Sequence, residues 1–296
     1  MNKPINMLIA GGDNRTIPII QHFSNYGINL FVAGFDSLDL ENDNVRKVSL
    51  GQMDFSILNA ILLPVSGTDS SGYIESTYSD KTIRLTEQML ANTPNDFVIY
   101  TGISTDYLDN LVAKTGRKLV RIFKRDDIAI YNSIPTAEAT LQIAMQETTK
   151  TIHGSNVIII GFGRIGLTIA RIFSAVGANV TATARRTEHF ARMYEMGISG
   201  LSTTEIENNI DQFDICINTV PHLVLDSSII SKMKANTLII DLASKPGGTD
   251  FDFAKKQNIN AIHALGLPGK VAPETAGEII GKVLLEMLVE EFHLKS

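Results

Sequence analysis

Short apolar runs alternate with amphipathic stretches along the whole chain. Residues 5–10 read as a buried strand stopped by Gly11-Gly12. Residues 16–26 follow as a helix with Ile17, Ile20 and Phe23 on one face, closed by Gly27. The same pattern predicts strands at 28–33, 59–65, 97–100 and 118–123, and helices at 80–91 and 106–114. One long helix, 135–150, with Pro135 in its first turn, leads into a second round. There the strands are 156–160, 179–183, 214–218, 237–241 and 259–263, with a helix at 164–176. A closing helix, 273–292, carries Ile279, Ile280, Val283, Leu284, Met287 and Leu288 at helical spacing. Strands separated by helices imply parallel βαβ units with right-handed crossovers. At 296 residues, the reading is two α/β domains with a boundary near 125–150.

Composition narrows the function classes. Lys and Arg total 26 against 32 Asp and Glu, a net charge of −6, which excludes a dedicated nucleic-acid binder. A hydrophobic content of 44% excludes a disordered chain. The single cysteine, Cys216, lies in an apolar strand and reads as core, leaving no disulfide framework and no cysteine zinc site. No His, Cys or acid cluster has metal-ligand spacing, so no metal is expected. No apolar run reaches the roughly 18 residues of a membrane span, and the N-terminal run is too short for a signal peptide. The expectation is a cytoplasmic protein that meets neither membrane nor nucleic acid.

The strongest chemical signal is Gly161-Phe162-Gly163-Arg164-Ile165-Gly166. It follows one strand, opens a helix ending at Gly177, and is succeeded by a second strand, the setting a dinucleotide fingerprint requires. Gly161 permits the tight turn, Gly163 lets backbone approach a pyrophosphate, and Gly166 lets helix and strand pack closely. The helix N-terminus offers free N–H groups to phosphate. The second strand ends in Thr183-Ala184-Arg185-Arg186, with no acid for a ribose 2′-hydroxyl. Arginines there suit a 2′-phosphate, so NADP is favoured over NAD. A methyltransferase using S-adenosylmethionine fits less well, because its glycine spacing is commonly shorter and an acid is expected after its second strand too.

Ligands of doubly wound domains sit beyond the carboxyl ends of the strands. In the first half these loops supply Gly11, Gly12, Asp13 and Arg15, then Ser66, Gly67, Thr68 and Asp69, then Gly102. Their hydroxyls, N–H groups and arginine suit carboxylates. In the second half Thr219, Val220 and Pro221, and then Ala243 and Ser244, fall near the nicotinamide end of a cofactor. His222 is a candidate proton acceptor, and Lys245 and Lys270 are candidate catalytic cations. His263 ends an apolar strand and reads as an interior histidine; His22, His153, His189 and His293 carry no signal.

These motifs, with Leu63-Pro64-Val65-Ser66-Gly67-Thr68-Asp69, Tyr131-Asn132-Ser133-Ile134-Pro135-Thr136-Ala137-Glu138 and the stretch from Leu265 through Gly277, resemble the family of dipicolinate synthase A subunits of spore-forming bacteria. The resemblance spans nearly the whole chain. It implies an oxidoreductase that, with a flavoprotein-like B subunit of dipicolinate synthase, makes dipicolinic acid from a dihydrodipicolinate-level intermediate of the lysine/diaminopimelate pathway during sporulation. It also implies a fold similar to D-2-hydroxyacid and alanine dehydrogenases: two Rossmann-like, doubly wound parallel-sheet domains with the cofactor in the cleft between them. Residues 1–130 would form a flavodoxin- or Rossmann-like substrate domain and 131–272 an NADP-binding Rossmann domain. The closing helix, 273–296, would return to the first. A homodimer, a small dicarboxylate substrate and a mother-cell location follow from the same likeness. Arg15, Lys245 and Lys270, with Ser66 and Thr68, would clamp two carboxylates, and Asp13, Asp69 or Glu138 would assist any dehydration. One departure argues against a 2-hydroxyacid dehydrogenase. Where those enzymes carry arginine in an N-x-x-R-G stretch, this chain has lysine, in Asp241-Leu242-Ala243-Ser244-Lys245-Pro246-Gly247.

Overall fold

The computed structural model describes residues 5–40 and 42–293; the final residues of the expected 273–296 segment, 294–296, lie outside them. The chain divides into two compact units, one running through Ala129 and resuming at Ala272, the other covering Ile130–Val271. The first unit contains β1 (Asn6–Ala10), α1 (Thr16–Ser24), β2 (Asn29–Ala33), β3 (Val45–Lys47) and β4 (Ala60–Leu62). A short pair follows, β5 (Tyr73–Ile74) and β6 (Ile83–Arg84), then α2 (Glu87–Ala91), β7 (Val98–Thr101), α3 (Asp106–Thr115) and β8 (Lys118–Arg121). Helix α4 (Asp126–Glu147) leads into the second unit. There β9 (Asn156–Ile160), α5 (Arg164–Ala175), β10 (Asn179–Ala184), α6 (Thr187–Glu195), β11 (Ser199–Ser202) and α7 (Ile206–Asn209) precede β12 (Ile215–Asn218). Then come α8 (Ser227–Ile230), β13 (Leu238–Asp241), α9 (Phe251–Lys256), β14 (Asn260–His263) and α10 (Leu267–Val271). Helix α11 (Pro273–Phe292) closes the described chain.

Each unit holds a six-stranded parallel sheet, ordered β3-β2-β1-β4-β7-β8 and β11-β10-β9-β12-β13-β14. Counted within its own sheet, each order is 3-2-1-4-5-6, the dinucleotide-fold order rather than the flavodoxin one. The central strands are buried on both faces, and the two-residue period of a strand sorts their side chains between two cores. Met7 and Ile9 enter one apolar cluster while Leu8 and Ala10 enter another. Val157 and Ile159 part from Ile158 and Ile160 in the same way. Continuous apolar runs are therefore required, and register follows from them: Leu8 lies against Phe31 and Ile61, and Ile158 against Thr181 and Cys216.

Two local expectations fail, and two strands go unread, for physical reasons. The helix expected over 80–91 is instead β6 followed by the short α2, which Thr86 caps by accepting the Met89 N–H. The pairing of Tyr73 with Arg84 and Ile74 with Ile83 outweighs local helical spacing. Edge strands β3 and β11 are short and only partly buried, so they leave no apolar run to read. Pro135 is inside α4, not in its first turn; the Ser133 and Thr136 hydroxyls donate to Ile130 O and Asn132 O in the turn around it.

Helix α11 packs on α1, placing Ile280, Val283, Leu284 and Leu288 in one core with Ile19 and Phe23. The approach is close because Gly277 has no side chain: a Cβ there would overlap Arg15 O and Pro18. Gly277→Ala should therefore lower stability by about 1–3 kcal/mol through overpacking. Denaturant unfolding checks this, and an unchanged midpoint would mean that the two helices can separate at no cost.

Candidate functional site

In the second unit the turn from β9 into α5 uses its three glycines differently. Gly161 has φ +95°, and a Cβ on it would press within 2.5 Å of the Thr219 hydroxyl. Gly166 is closed by Gly161 O, so only glycine lets α5 start this near the strand. A Cβ on Gly163, by contrast, would meet nothing within 4 Å. Gly163 is the N-cap of α5, no side chain caps the helix there, and its first turn carries no acid. The first N–H groups of a helix have no intrahelical acceptor, so this turn presents donors and partial positive charge beside open space. That arrangement fits a pyrophosphate.

Several residues expected to touch cofactor are instead committed to the protein. Phe162 is buried in the core of the unit, edge-on to His189, and Ile165 packs against the same core. The fully buried Thr183 accepts the Gly161 N–H, and Thr219 donates to Ile160 O. These four side chains shape the turn, with Ile165 and Thr219 partly exposed. Arg164 is exposed at the helix start. Arg185 and Arg186 are exposed immediately after β10. Arg186 contacts Glu188 and His189, whereas Arg185 has no ion pair or hydrogen bond among the described residues.

The remaining loops of this carboxyl edge hang on one buried carboxylate. Asp241, at the end of β13, is fully buried. Its Oδ1 accepts from Asn218 Nδ2 and the Ala243 N–H, and its Oδ2 from the Gly248 N–H and the Thr249 hydroxyl, all at 2.7–3.0 Å. Asn218 in turn clasps Val220 through both its N–H and its carbonyl. Gly248 is enclosed by Asn218, Val220 O and His222 O. Asp241 thus sets the backbone course of both loops that carry Val220, Pro221, His222, Ala243, Ser244 and Lys245. His222 and Lys245 are exposed on this edge and Lys270 is exposed in α10, while His263 is satisfied by Ala243 O and stacks on Phe251. Burial, then the Asp241 charge, push the Cys216 thiol well above its usual range, as befits a core residue. Neither Asn218 nor Asp241 stands out in sequence, because a strand-ending Asn or Asp is ordinary turn chemistry.

The first unit treats the same edge differently. Residues 73–84 cross the carboxyl ends of β1 and β2. Gly12 N–H donates to Glu75 O, Thr77 N–H to Gly12 O, and the Ser76 hydroxyl to Gly34 O. A Cβ on Gly11 would overlap Glu75 O, and one on Gly34 would overlap Ile83. The glycine turn after β1 is therefore filled by the unit's own chain. Arg15, expected to clamp substrate, forks onto Asp13 through Nε and a terminal nitrogen, the latter at 2.5 Å. Burial works to raise the Asp13 carboxyl, but the Arg15 hydrogen bonds and charge outweigh it and hold the group below the usual carboxylate range. Asp69 accepts the Ser71 and Tyr73 N–H groups. Thr68 is buried against the Thr105 hydroxyl. Gly67 and Gly102 are required where the two neighbouring loops touch, at Ile103 O and Val65 O. Ser66 alone of this set is exposed without such a structural bond.

Among the described residues no group of His, Cys, Asp and Glu could hold a metal ion, and no helix is long and apolar enough to cross a membrane. A parallel sheet of dinucleotide order with an open phosphate turn defines a nicotinamide-cofactor-binding protein of dehydrogenase type. Residues 128–245 match the family model described as "D-isomer specific 2-hydroxyacid dehydrogenase, NAD binding domain", and residues 6–123 match the model for the N-terminal domain of the dipicolinate synthase A subunit. The chain belongs to the family of dipicolinate synthase A subunits. It is 46% identical to the A subunit of dipicolinate synthase of Bacillus subtilis, over 97% of this chain and 96% of that one. The crystal structure of the A chain of dipicolinate synthase from Bacillus subtilis superimposes with a TM-score of 0.95 at 45% identity, covering 98% of each chain. The A-subunit structure from Bacillus halodurans gives 0.94 at 45%, covering 96% of this chain and 97% of that one.

The glycines give a paired expectation. Gly163→Ala should cost no more than about 1 kcal/mol, the penalty of alanine for glycine at an N-cap, and weaken dinucleotide binding, whereas Gly166→Ala should lower stability by about 1–3 kcal/mol. Thermal unfolding and cofactor titration of both variants check it; equal behaviour would contradict the separate roles. The filled turn of the first unit makes a second expectation, one nicotinamide dinucleotide per chain. Two bound per chain in a calorimetric titration would show that residues 73–84 leave that crevice.

Proposed function

We propose that this chain is an NADP-linked oxidoreductase that forms dipicolinic acid from a dihydrodipicolinate-level intermediate, acting with the B subunit of dipicolinate synthase. The observation that carries the reading is the open Gly163 turn in a chain whose whole length is similar to proteins named as A subunits of dipicolinate synthase. NADP, when bound, takes up the hydride that leaves the ring. Aromatisation favours that loss, so the protein's task is mainly to position the ring and receive a proton. The Gly163 turn binds the pyrophosphate, and Arg185 and Arg186 pair with the 2′-phosphate. Lys245 and Lys270 draw the substrate carboxylates to the carboxyl edge, and His222 receives the ring proton. Ser66 and the loop N–H groups remain candidates for substrate contact in the first unit; Arg15 is better placed to brace Asp13. A homodimer in the cytoplasm of the mother cell completes the reading.

Replacing Arg185 and Arg186 together by Ala should weaken NADPH binding at least tenfold more than NADH binding, as loss of charge-assisted pairing to one phosphate predicts. Equal loss would place the 2′-phosphate elsewhere. Formation of pyridine-2,6-dicarboxylate by the purified chain with substrate and NADP, with and without the B subunit, tests the chemistry. Tight NADPH binding with no turnover in either mixture would reduce the chain to a binding protein.

A further inference from the structure

Helix α4 carries a polar group that the fold leaves without a partner. The Asn132 Oδ1 is buried and meets no hydrogen-bond donor among the described residues. The Asn132 backbone is settled, since the Thr136 hydroxyl donates to its carbonyl at 2.7 Å. A buried acceptor without a donor is destabilising, and native proteins keep few of them. The position of α4 in the second unit says which donor could reach it. At the far end of the helix Glu147 accepts from Asn260, the first residue of β14. Just beyond, Lys150 pairs with Asp214, the residue before β12. That end therefore lies at the amino edge of the sheet, on the β12–β14 half. At the near end the hydroxyls of Ser133 and Thr168 lie 2.7 Å apart, and Thr168 is early in α5. Helix α5 covers β9 and β10, so α4 stands on its β12 side. Asn132 is thus at the carboxyl edge, beside the start of α5 and away from the two arginines that follow β10.

A dinucleotide whose pyrophosphate lies at Gly163 and whose adenosine end reaches β10 extends its nicotinamide toward β12, across the point where the strand order reverses. Phosphate and carboxylate groups bring acceptors only and cannot serve an amide oxygen. The carboxamide of the nicotinamide brings an N–H donor. We propose that Asn132 is a further cofactor residue, its Oδ1 accepting a carboxamide N–H and so limiting how the nicotinamide ring turns against the substrate. The proposal rests on the reading of the second unit as a nicotinamide-dinucleotide site, and it names the residue that orients the reactive end.

The test is a calorimetric titration of the full chain with three ligands. These are NADPH, its reduced 3-acetylpyridine analogue, in which methyl replaces the carboxamide nitrogen, and 2′-phospho-ADP-ribose, which lacks the nicotinamide. The wild-type chain should bind the analogue about fivefold more weakly than NADPH, as one lost hydrogen bond to a buried acceptor predicts. In Asn132→Leu, or in the smaller Asn132→Ala should the first not fold, NADPH and the analogue should bind alike. Both variants should bind 2′-phospho-ADP-ribose as the wild type does. Equal binding of NADPH and the analogue by the wild-type chain, an undiminished gap in the variant, or loss of 2′-phospho-ADP-ribose binding there would overturn the proposal. Should the chain prefer NADH, the same three ligands without the 2′-phosphate serve. Failure of the wild-type chain to bind either dinucleotide overturns the cofactor reading and this proposal with it, whereas dinucleotide binding that ignores the carboxamide overturns the role of Asn132 alone.

Discussion

A parallel strand buried on both faces has no length of its own to give to chemistry. Every side chain of 157–160 enters one core or the other, and its backbone is spent on two neighbours. Polar work is therefore displaced to the carboxyl ends, where the chain leaves the sheet and its N–H groups are released. Both units obey this constraint, and the candidate chemistry of each lies in the few residues after a strand stops.

Two sheets of one topology meet the constraint in opposite ways. In the second unit the exit from β9 is kept open by glycine, and the first turn of α5 is left uncapped. In the first unit the exit from β1 is closed by main-chain bonds with residues 75 and 77, and the exit from β2 by Ile83 over Gly34. The closing segment is the one that breaks the helix expected over 80–91, so the local misreading and the sealed crevice have one cause. Arg15 fits the same picture. It lies beside the filled turn and is held by Asp13.

What could be read from sequence was what depends on neighbours in the chain. The β9–α5–β10 unit and α11 are local patterns of apolar spacing and glycine, and both were legible. The β5–β6 pair depends on residues nine or more apart finding each other and leaves no local trace. Site residues divide the same way. Gly161, Gly163 and Gly166 carry their reasons in their spacing. Thr183 and Phe162 are each engaged by a partner distant in sequence, which no local spacing announces: Gly161 N–H for the threonine, and the core beside His189 for the phenylalanine. Asp241 was invisible for the converse reason. It ends an apolar strand as many acids do, and its importance lies in four donors drawn from residues 218 to 249.

The three glycines of the fingerprint are not equal witnesses to a ligand. Gly161 is required by a positive φ and by Thr219, and Gly166 by Gly161 O, so both would be needed if the protein bound nothing. Gly163 alone has room for a side chain and a backbone that any residue adopts. Neither a positive φ nor a close neighbour calls for glycine there, although glycine serves an N-cap better than alanine. Because α5 begins at that residue with no side-chain cap and open space beside it, the turn is able to receive an anion that comes closer than a Cβ would allow. The case for phosphate at this turn thus leans on the one glycine whose packing the fold does not use.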